Sequence, residues 1–132
     1  MIRRATEADL PDIRRILAAS PEAAQWFDIK RPTLVAQMDG TLCGFLTWLE
    51  LPAREVEILN IAVDPLSRRR GIATALVQEV IRNSPKAIYL EVRESNSAAR
   101  KLYQALGFQQ LTVREAYYQD PPEGAVVMKW SS

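Results

Sequence analysis

A strand, an arginine-rich turn and a helix follow one another over residues 60–76, and this order restricts the fold more than any other part of the chain. The apolar strand stops at Pro65, and apolar residues recur at helical spacing from Ile72 onwards. Where a chain enters a helix, unpaired backbone N–H groups and the positive end of the helix dipole form an anion site. The arginines at 68–70 add charge suited to a diphosphate. Taken alone, the segment is equally compatible with a solvated basic turn before an amphipathic helix.

The periodicity elsewhere predicts one domain over residues 1–132 with the element order αβββαβαββ, an α/β or α+β three-layer fold. Asp39-Gly40 suits the positive φ angles of a tight hairpin turn, so the first three strands are expected to form an antiparallel meander. The predicted helices of this order cover residues 7–19, 72–83 and 97–106, with a further short helix predicted at 20–26. The predicted strands cover 33–38, 41–51, 54–63, 87–93, 108–118 and 124–130.

Histidine is absent from the sequence, and Cys43 is its one cysteine. Ser-His-Asp and Cys-His catalysis and the common zinc sites are therefore excluded, and no metal is expected. A general base must be a carboxylate, a lysine, a tyrosine, a water molecule or a chain terminus. We predict that Cys43 is a small buried residue rather than a nucleophile.

The charges nearly balance, with 17 Lys and Arg against 16 Asp and Glu. This gives no support to a general nucleic-acid binder or a polybasic membrane protein, in which one sign dominates. The N-terminal segment lacks the apolar core of a signal peptide, and the apolar runs are far shorter than a membrane span. We expect a cytoplasmic protein with a reduced cysteine, without nucleic-acid or membrane partners, and a monomer or weak dimer.

Two polar side chains stand among apolar residues in the second half of the chain. Glu91 lies on the face of its predicted strand opposite Leu90 and Val92, and Tyr103 lies on the apolar stripe of the helix that Asn96 caps. The spacing leaves a structural reading of each open. The carboxylate could face solvent and pair with Arg93, and the tyrosine could be a core residue with a satisfied hydroxyl group.

Four short motifs stand in a fixed order: Asn60-Ile-Ala-Val-Asp-Pro65, Arg68-x-x-Gly-x-Ala73, Leu90-Glu-Val-Arg-Glu-Ser-Asn96 and Ala99-x-x-x-Tyr103-x-x-x-Gly107-Phe108. This set resembles the GNAT superfamily of acetyl-CoA-dependent N-acetyltransferases, and within it the bacterial ribosomal-protein alanine N-acetyltransferases. The resemblance is strong over residues 57–118 and weak over residues 1–50.

The resemblance implies a GNAT-like fold, a mixed and mostly antiparallel sheet with helices on both faces. It also implies transfer of an acetyl group from acetyl-CoA to an amine by direct attack in a ternary complex. The implied acceptor is the N-terminal α-amino group of a protein such as a ribosomal protein. Two alternatives stay open: a small-molecule amine or lysine acceptor, and an acetyl-CoA-binding domain without turnover.

The resemblance also assigns roles to residues. Glu91 stands at the position of the general base, and Tyr103 at that of the general acid that protonates the leaving thiolate. Tyr117 and Tyr118 match an aromatic pair beside the acceptor, although they could equally pack on the core. The residues that match the cofactor-binding positions are Ile61, Ala62, Val63, Arg68, Arg69, Arg70, Gly71, Ile72, Ala73, Thr74 and Asn96.

Overall fold

The computed structural model describes residues 1–21, 23, 27–118 and 122–132. These residues form two compact units, Met1–Leu49 with Leu59–Asn83 and Glu50–Ile58 with Ser84–Ser132. The helices are α1 (Leu10–Ala18), α2 (Ile72–Arg82) and α3 (Ser97–Ala105); the strands are β1 (Ile2–Arg4), β2 (Thr33–Met38), β3 (Thr41–Leu51), β4 (Glu55–Val63), β5 (Ala87–Arg93), β6 (Gln109–Tyr118) and β7 (Glu123–Ser131).

The first unit contains β1, β2, most of β3 and the last residues of β4, adjacent in that order. β1 pairs antiparallel with β2, and β2 pairs antiparallel with β3. The hairpin between β2 and β3 turns at Asp39 and Gly40, whose φ angles are 54° and 79°. Positive φ at both central residues is the requirement of the tight turn that matches the strand twist, so the predicted hairpin is confirmed.

Two helices cover opposite faces of these strands. Ile13 and Ile16 of α1 pack with Phe45 in a fully buried cluster. A Cβ atom added to the neighbouring Gly44 would project from the other face of the strands. It would lie 3.1 Å from the Cγ2 atom of Ile72 in α2. A glycine at this position therefore allows α2 to approach the strands closely.

The second unit contains the first residues of β4, then β5, β7 and β6. β4 and β5 are parallel, whereas β7 pairs antiparallel with both β5 and β6. The side chain of Asn96 accepts a hydrogen bond from the backbone N–H of Ala99 and so caps α3. Gly107, with φ of 101°, ends the turn after α3 and lies against Trp130. The predicted cap and terminator of this helix are confirmed.

Three features differ from the sequence predictions or lie outside them. β1 was not predicted, because three residues are too short for strand alternation to be recognised. The first helix begins with a 3₁₀ turn at Glu7–Asp9, so α1 proper starts only at Leu10. Most of the predicted helix at 20–26 and of the loop at 119–122 lies outside the described residues.

Candidate active site

The arginine-rich turn is anchored by Asp64, the residue that directly follows β4. Its carboxylate accepts a hydrogen bond of 2.7 Å from Nη1 of Arg15 on α1 and another of 3.1 Å from the backbone N–H of Leu66. Arg15 also donates to the backbone carbonyl of Leu42 in β3. These bonds fix where the chain leaves β4 and thereby orient the turn that follows.

The arginine of this anchor lowers the pKa of the Asp64 carboxyl, and the Leu66 amide adds to the effect. The stabilisation that accompanies a lowered folded-state pKa is complete above the unfolded value, near pH 4, and is lost as the pH falls through the folded value. We therefore expect Asp64→Asn to destabilise the protein by about 1 kcal/mol at pH 7 and by much less at pH 3.

Urea unfolding of Asp64→Asn and the wild-type protein at both pH values tests this expectation. Asp39→Asn is the matched control, because Asp39 is an exposed aspartate in the hairpin turn of the same unit. A stability difference between Asp64→Asn and wild type that is equal at pH 7 and pH 3 would show that the charge of Asp64 contributes nothing.

The start of α2 has the geometry of an anion site. Gly71 precedes the helix with φ of 73°, and the first helical bond runs from the N–H of Ala75 to the carbonyl of Gly71 at 2.9 Å. The N–H groups of Ile72, Ala73 and Thr74 consequently precede any intrahelical acceptor. Gly71 is exposed, an added Cβ there would meet nothing within 4 Å, and residues 68–70 are exposed arginines. Space, amide donors and positive charge together fit a diphosphate.

Replacement of Gly71 by valine tests this assignment. The branched side chain would both disfavour the positive φ angle and fill the space that the phosphates need, so we expect acetyl-CoA affinity to fall about ten- to hundredfold, as for loss of one hydrogen bond to a charged group. Titration calorimetry with acetyl-CoA measures the change.

Gly40→Val is a closely matched control for this experiment. Gly40 also has a positive φ angle and open space around its missing Cβ, but it lies in the β2–β3 turn. Its replacement should cost similar stability and leave acetyl-CoA affinity intact. Equal acetyl-CoA affinities of Gly71→Val and the wild type would show that the loop is not part of the binding site.

The end of β4 lies in the same unit as this turn. Ala62 is buried, and its carbonyl oxygen faces Gly44 of β3, whereas Ile61 and Val63 are half-buried. The structure thus places the predicted strand residues 61–63 next to the predicted turn 68–74 along one strand–turn–helix connection.

Glu91 lies on β5 in the second unit, half-buried, with its side chain 23% exposed. Nη1 of Arg114, on β6, donates a hydrogen bond of 2.9 Å to its Oε1. Arg93 instead pairs with Glu123 at 3.3 Å. The suggested pairing of Glu91 with Arg93 is therefore wrong. The two side chains share a face of β5, but each forms its ion pair with a residue of another strand.

Glu57 is a second carboxylate on the same face, and the sequence predictions missed it. It sits on β4 opposite Tyr89, two residues before Glu91, in the parallel β4–β5 register. Burial raises the pKa of Glu57, and the negative charge of Glu91 raises it further. The alternation of apolar and polar residues along β4 was the one sequence pattern that pointed to Glu57, because it places Glu57 on the face opposite the buried Ile58. The proximity of Glu57 to Glu91 follows only from the strand order.

Tyr117 and Tyr118 reach this cluster through an irregularity in β6. Between the pairs Arg114↔Ala125 and Tyr118↔Glu123, β6 advances four residues while β7 advances two. Such a bulge redirects side chains, and it lets the guanidinium of Arg114 lie 4.2 Å from the ring centre of Tyr117, three positions later. In a regular strand these two side chains would point to opposite faces.

The charge of Glu91 affects the pKa of both tyrosines. The negative charge of Glu91 raises the pKa of Tyr117. Burial, followed by the charge of Glu91, raises the pKa of Tyr118. The two rings meet edge to face with centres 5.2 Å apart. Neither tyrosine is fully buried, and Tyr117 is exposed, so the pair flanks the carboxylates rather than filling the core.

Tyr103 lies on the buried side of α3, with 6% of its surface exposed and its ring 5.6 Å from that of Phe108. Burial raises its pKa well above the ordinary value, and Tyr118 adds to the shift. Among the described residues, none forms a hydrogen bond with its hydroxyl group. The phenol therefore keeps its proton and has that proton available for another acceptor.

Asn96 and Cys43 have structural contacts that account for their environment. The side-chain oxygen of Asn96 caps α3, which leaves its amide N–H₂ group as the part that could meet a ligand. Cys43 is buried in β3, and its thiol donates to the carbonyl oxygen of Ala36 at 3.2 Å. The predicted burial of Cys43 is confirmed.

The second unit thus gathers two carboxylates, two exposed or half-buried phenols and one arginine. Paired carboxylates beside an aromatic face bind a cation, and a carboxylate can accept a proton from one. Within the described part of the chain, no group of three or more His, Cys, Asp or Glu residues is arranged to hold a metal ion. Among the helices that the structure describes, none combines the length and apolar character needed to cross a membrane.

The sequence is similar to a family of known proteins. Residues 2–108 match the family model described as acetyltransferase (GNAT) family. Over 81 residues, the chain is 41% identical to a [ribosomal protein bS18]-alanine N-acetyltransferase of Haemophilus ducreyi, covering 56% of each sequence. It is 37% identical over 101 residues to the N-alpha-acetyltransferase RimI of Mycobacterium tuberculosis, covering 74% of this chain and 64% of that protein. The chain therefore spans between about half and two thirds of the length of these curated relatives.

The fold also matches a solved structure. The ribosomal-protein-S18-alanine N-acetyltransferase from Escherichia coli superposes with a TM-score of 0.84 at 28% identity, covering 99% of this chain and 92% of that one. This likeness confirms the predicted α/β class and the mixed sheet with flanking helices.

Proposed function

Because the chain belongs to the GNAT family of acetyltransferases, we propose that it transfers the acetyl group of acetyl-CoA to the N-terminal α-amino group of a protein, such as a ribosomal protein. The named relatives support this acceptor, since they are alanine N-acetyltransferases of ribosomal protein bS18 and an N-alpha-acetyltransferase. We propose further that residues 1–132 act as one cytoplasmic acetyltransferase domain, as a monomer or weak dimer.

The cluster around Glu91 is the observation that carries the proposal. An α-amino group is mostly an ammonium ion near neutral pH and must lose a proton before it can attack a carbonyl carbon. The carboxylates of Glu57 and Glu91 supply charge to attract that ammonium ion and an oxygen to accept its proton. The faces of Tyr117 and Tyr118 add favourable contacts to a cation.

Acetyl-CoA supplies an activated acetyl group as a thioester. The amide donors and arginines at the start of α2 suit its diphosphate. The backbone of residues 61–63 is assigned to the pantetheine arm by strand-like pairing, with one N–H polarising the thioester carbonyl. The side chain of Asn96 is assigned to the same arm.

The proposed chemistry needs three proton transfers and releases one proton overall. Glu91, directly or through a water molecule, takes a proton from the acceptor ammonium, and the resulting amine forms a bond to the acetyl carbon as the carbon–sulfur bond breaks. Tyr103 donates its hydroxyl proton to the departing sulfur, and the nitrogen of the new amide gives up its second proton, through water, to the tyrosinate that remains. Burial raises the pKa of Tyr103, so the phenol holds its proton at physiological pH and is present as a neutral donor.

A panel of acceptors tests the proposal. Purified protein is incubated with acetyl-CoA and a peptide bearing a free N-terminal alanine, the same peptide with an acetylated N-terminus and an internal lysine, or small amines, and release of free thiol is followed. We expect turnover with the free N-terminus alone. Turnover with lysine or small amines instead would reassign the acceptor, and binding of acetyl-CoA without any turnover would support a binding domain.

Mass spectrometry in cells then identifies the natural acceptor. N-terminal peptides from cells with and without the protein are compared for acetylation. A ribosomal protein whose N-terminal alanine is acetylated in the first sample and free in the second is the expected result. Identical N-terminal acetylation in both samples would contradict an N-terminal acceptor.

A further inference from the structure

Arg114 holds the position that a cationic acceptor needs. Its guanidinium donates to Oε1 of Glu91 at 2.9 Å and lies over the ring of Tyr117. Its positive charge also acts on the half-buried carboxylate of Glu57 and lowers the pKa of that group against the effect of burial. One internal cation thus has two carboxylates and an aromatic face as neighbours, which are the partners that a protonated amine would use.

The attachment of Arg114 is weaker than that of the arginines that brace the first unit. Arg3 binds both carboxylate oxygens of the buried Asp9, at 2.7 and 2.8 Å, and Arg15 binds Asp64 and a carbonyl oxygen. For Arg114, by contrast, the described residues provide one hydrogen-bond acceptor, and its side chain is 53% exposed. An exposed ion pair of this kind contributes little to folding and is easily exchanged for another cation.

We propose that Arg114 is an internal competitor for the amine site: it occupies the cation position formed by Glu91, Glu57 and Tyr117, and the ammonium group of the acceptor displaces it. The inference rests on the proposed amine acceptor and adds a positioning residue that sets acceptor affinity. Before the acceptor binds, the positive charge of Arg114 offsets the repulsion between Glu57 and Glu91. By leaving, it frees the Glu91 oxygen that accepts the proton.

Removal of an internal competitor strengthens binding, whereas removal of a structural support weakens it. Arg114→Ala should therefore bind a cationic acceptor roughly two- to fivefold more tightly, the change that corresponds to loss of an exposed ion pair of about 0.4–1 kcal/mol. Arg114→Lys keeps a cation near Glu91 and should lie closer to the wild type. In steady-state assays, KM for the acceptor should fall in Arg114→Ala while kcat changes by less than about twofold.

The binding test uses the amidated hexapeptide Ala-Gly-Ser-Gly-Ser-Tyr, whose single charge is its N-terminal ammonium group. Titration calorimetry is run with saturating CoA, which carries no acetyl group, so that binding is measured without turnover. The N-acetylated hexapeptide reports contacts that do not involve the charge. Arg82→Ala is the matched control, because Arg82 forms a comparable exposed pair of 2.8 Å with Glu79 on α2.

Tighter binding of the free-amine peptide by Arg114→Ala, with no change in Arg82→Ala or towards the acetylated peptide, is the expected result. Equal or weaker binding by Arg114→Ala overturns the inference and leaves the amine acceptor standing. If neither the wild type nor Arg114→Ala binds the free-amine peptide, the inference fails together with the proposed acceptor. Melting temperatures of all variants show whether a loss of binding reflects unfolding instead of a changed site.

Discussion

Tyr103→Phe should lower kcat by about 10²- to 10⁴-fold, the usual contribution of one acid–base group, while acetyl-CoA still binds. The substitution keeps the ring that packs against Phe108 and removes only the hydroxyl group. Since the described residues offer that hydroxyl no hydrogen-bond partner, its removal leaves no buried group unsatisfied, and the melting temperature should change little. Single-turnover rates and thermal melts on the same preparation measure both quantities.

Tyr89→Phe is the matched control for this prediction. Tyr89 is a half-buried tyrosine of the same unit, and its hydroxyl donates a long hydrogen bond of 3.4 Å to Glu55. Its loss should leave the chemical step unchanged. If Tyr103→Phe turns over at the wild-type rate, Tyr103 is a core residue and the thiolate obtains its proton elsewhere.

Glu91→Gln should reduce turnover by a similar factor, about 10²- to 10⁴-fold, and retain affinity for acetyl-CoA. The amide has nearly the shape of the carboxylate but cannot accept the proton of the acceptor ammonium. The loss should be greatest at low pH, where more of the amine is protonated, so the pH–rate profile of the variant should be steeper than that of the wild type. Rates measured from pH 6 to pH 9.5 with a free-amine peptide test this expectation.

Substitution of neighbouring carboxylates identifies which one accepts the proton. Glu57→Gln removes the second charge of the cluster, whereas Glu55→Gln removes a carboxylate of β4 that contacts Tyr89. We expect Glu55→Gln to be fully active. An unchanged pH–rate profile in Glu91→Gln would mean that deprotonation occurs elsewhere, and loss of turnover in Glu57→Gln alone would transfer the role of base to Glu57.

Local patterns in the sequence determined most of the secondary structure. Asp39-Gly40 identified the hairpin, because few residue pairs adopt two consecutive positive φ angles. Asn96 and Gly107 delimited α3, because a side-chain cap and a left-handed terminator act within one helical turn. β1 was not predicted, because its three residues form a strand only through their pairing with β2.

The motifs in the sequence likewise determined the family and the candidate residues on each segment. The turn before α2 was identifiable because the requirements of an anion site, a glycine, arginines and a helix start, are contiguous in the chain. The two predicted catalytic residues, Glu91 and Tyr103, were identified through motifs on one strand and the helix that follows it.

Only the tertiary structure decided what surrounds Glu91. Parallel pairing of β4 with β5 brings Glu57 to its side from 34 positions earlier, and placement of β7 between β5 and β6, with the bulge in β6, brings Arg114 and Tyr117 from more than 20 positions later. Strand order and register depend on packing and hydrogen bonding across the whole sheet, and no local pattern encodes them. The sequence therefore identified the glutamate, whereas the fold determined which charges control it.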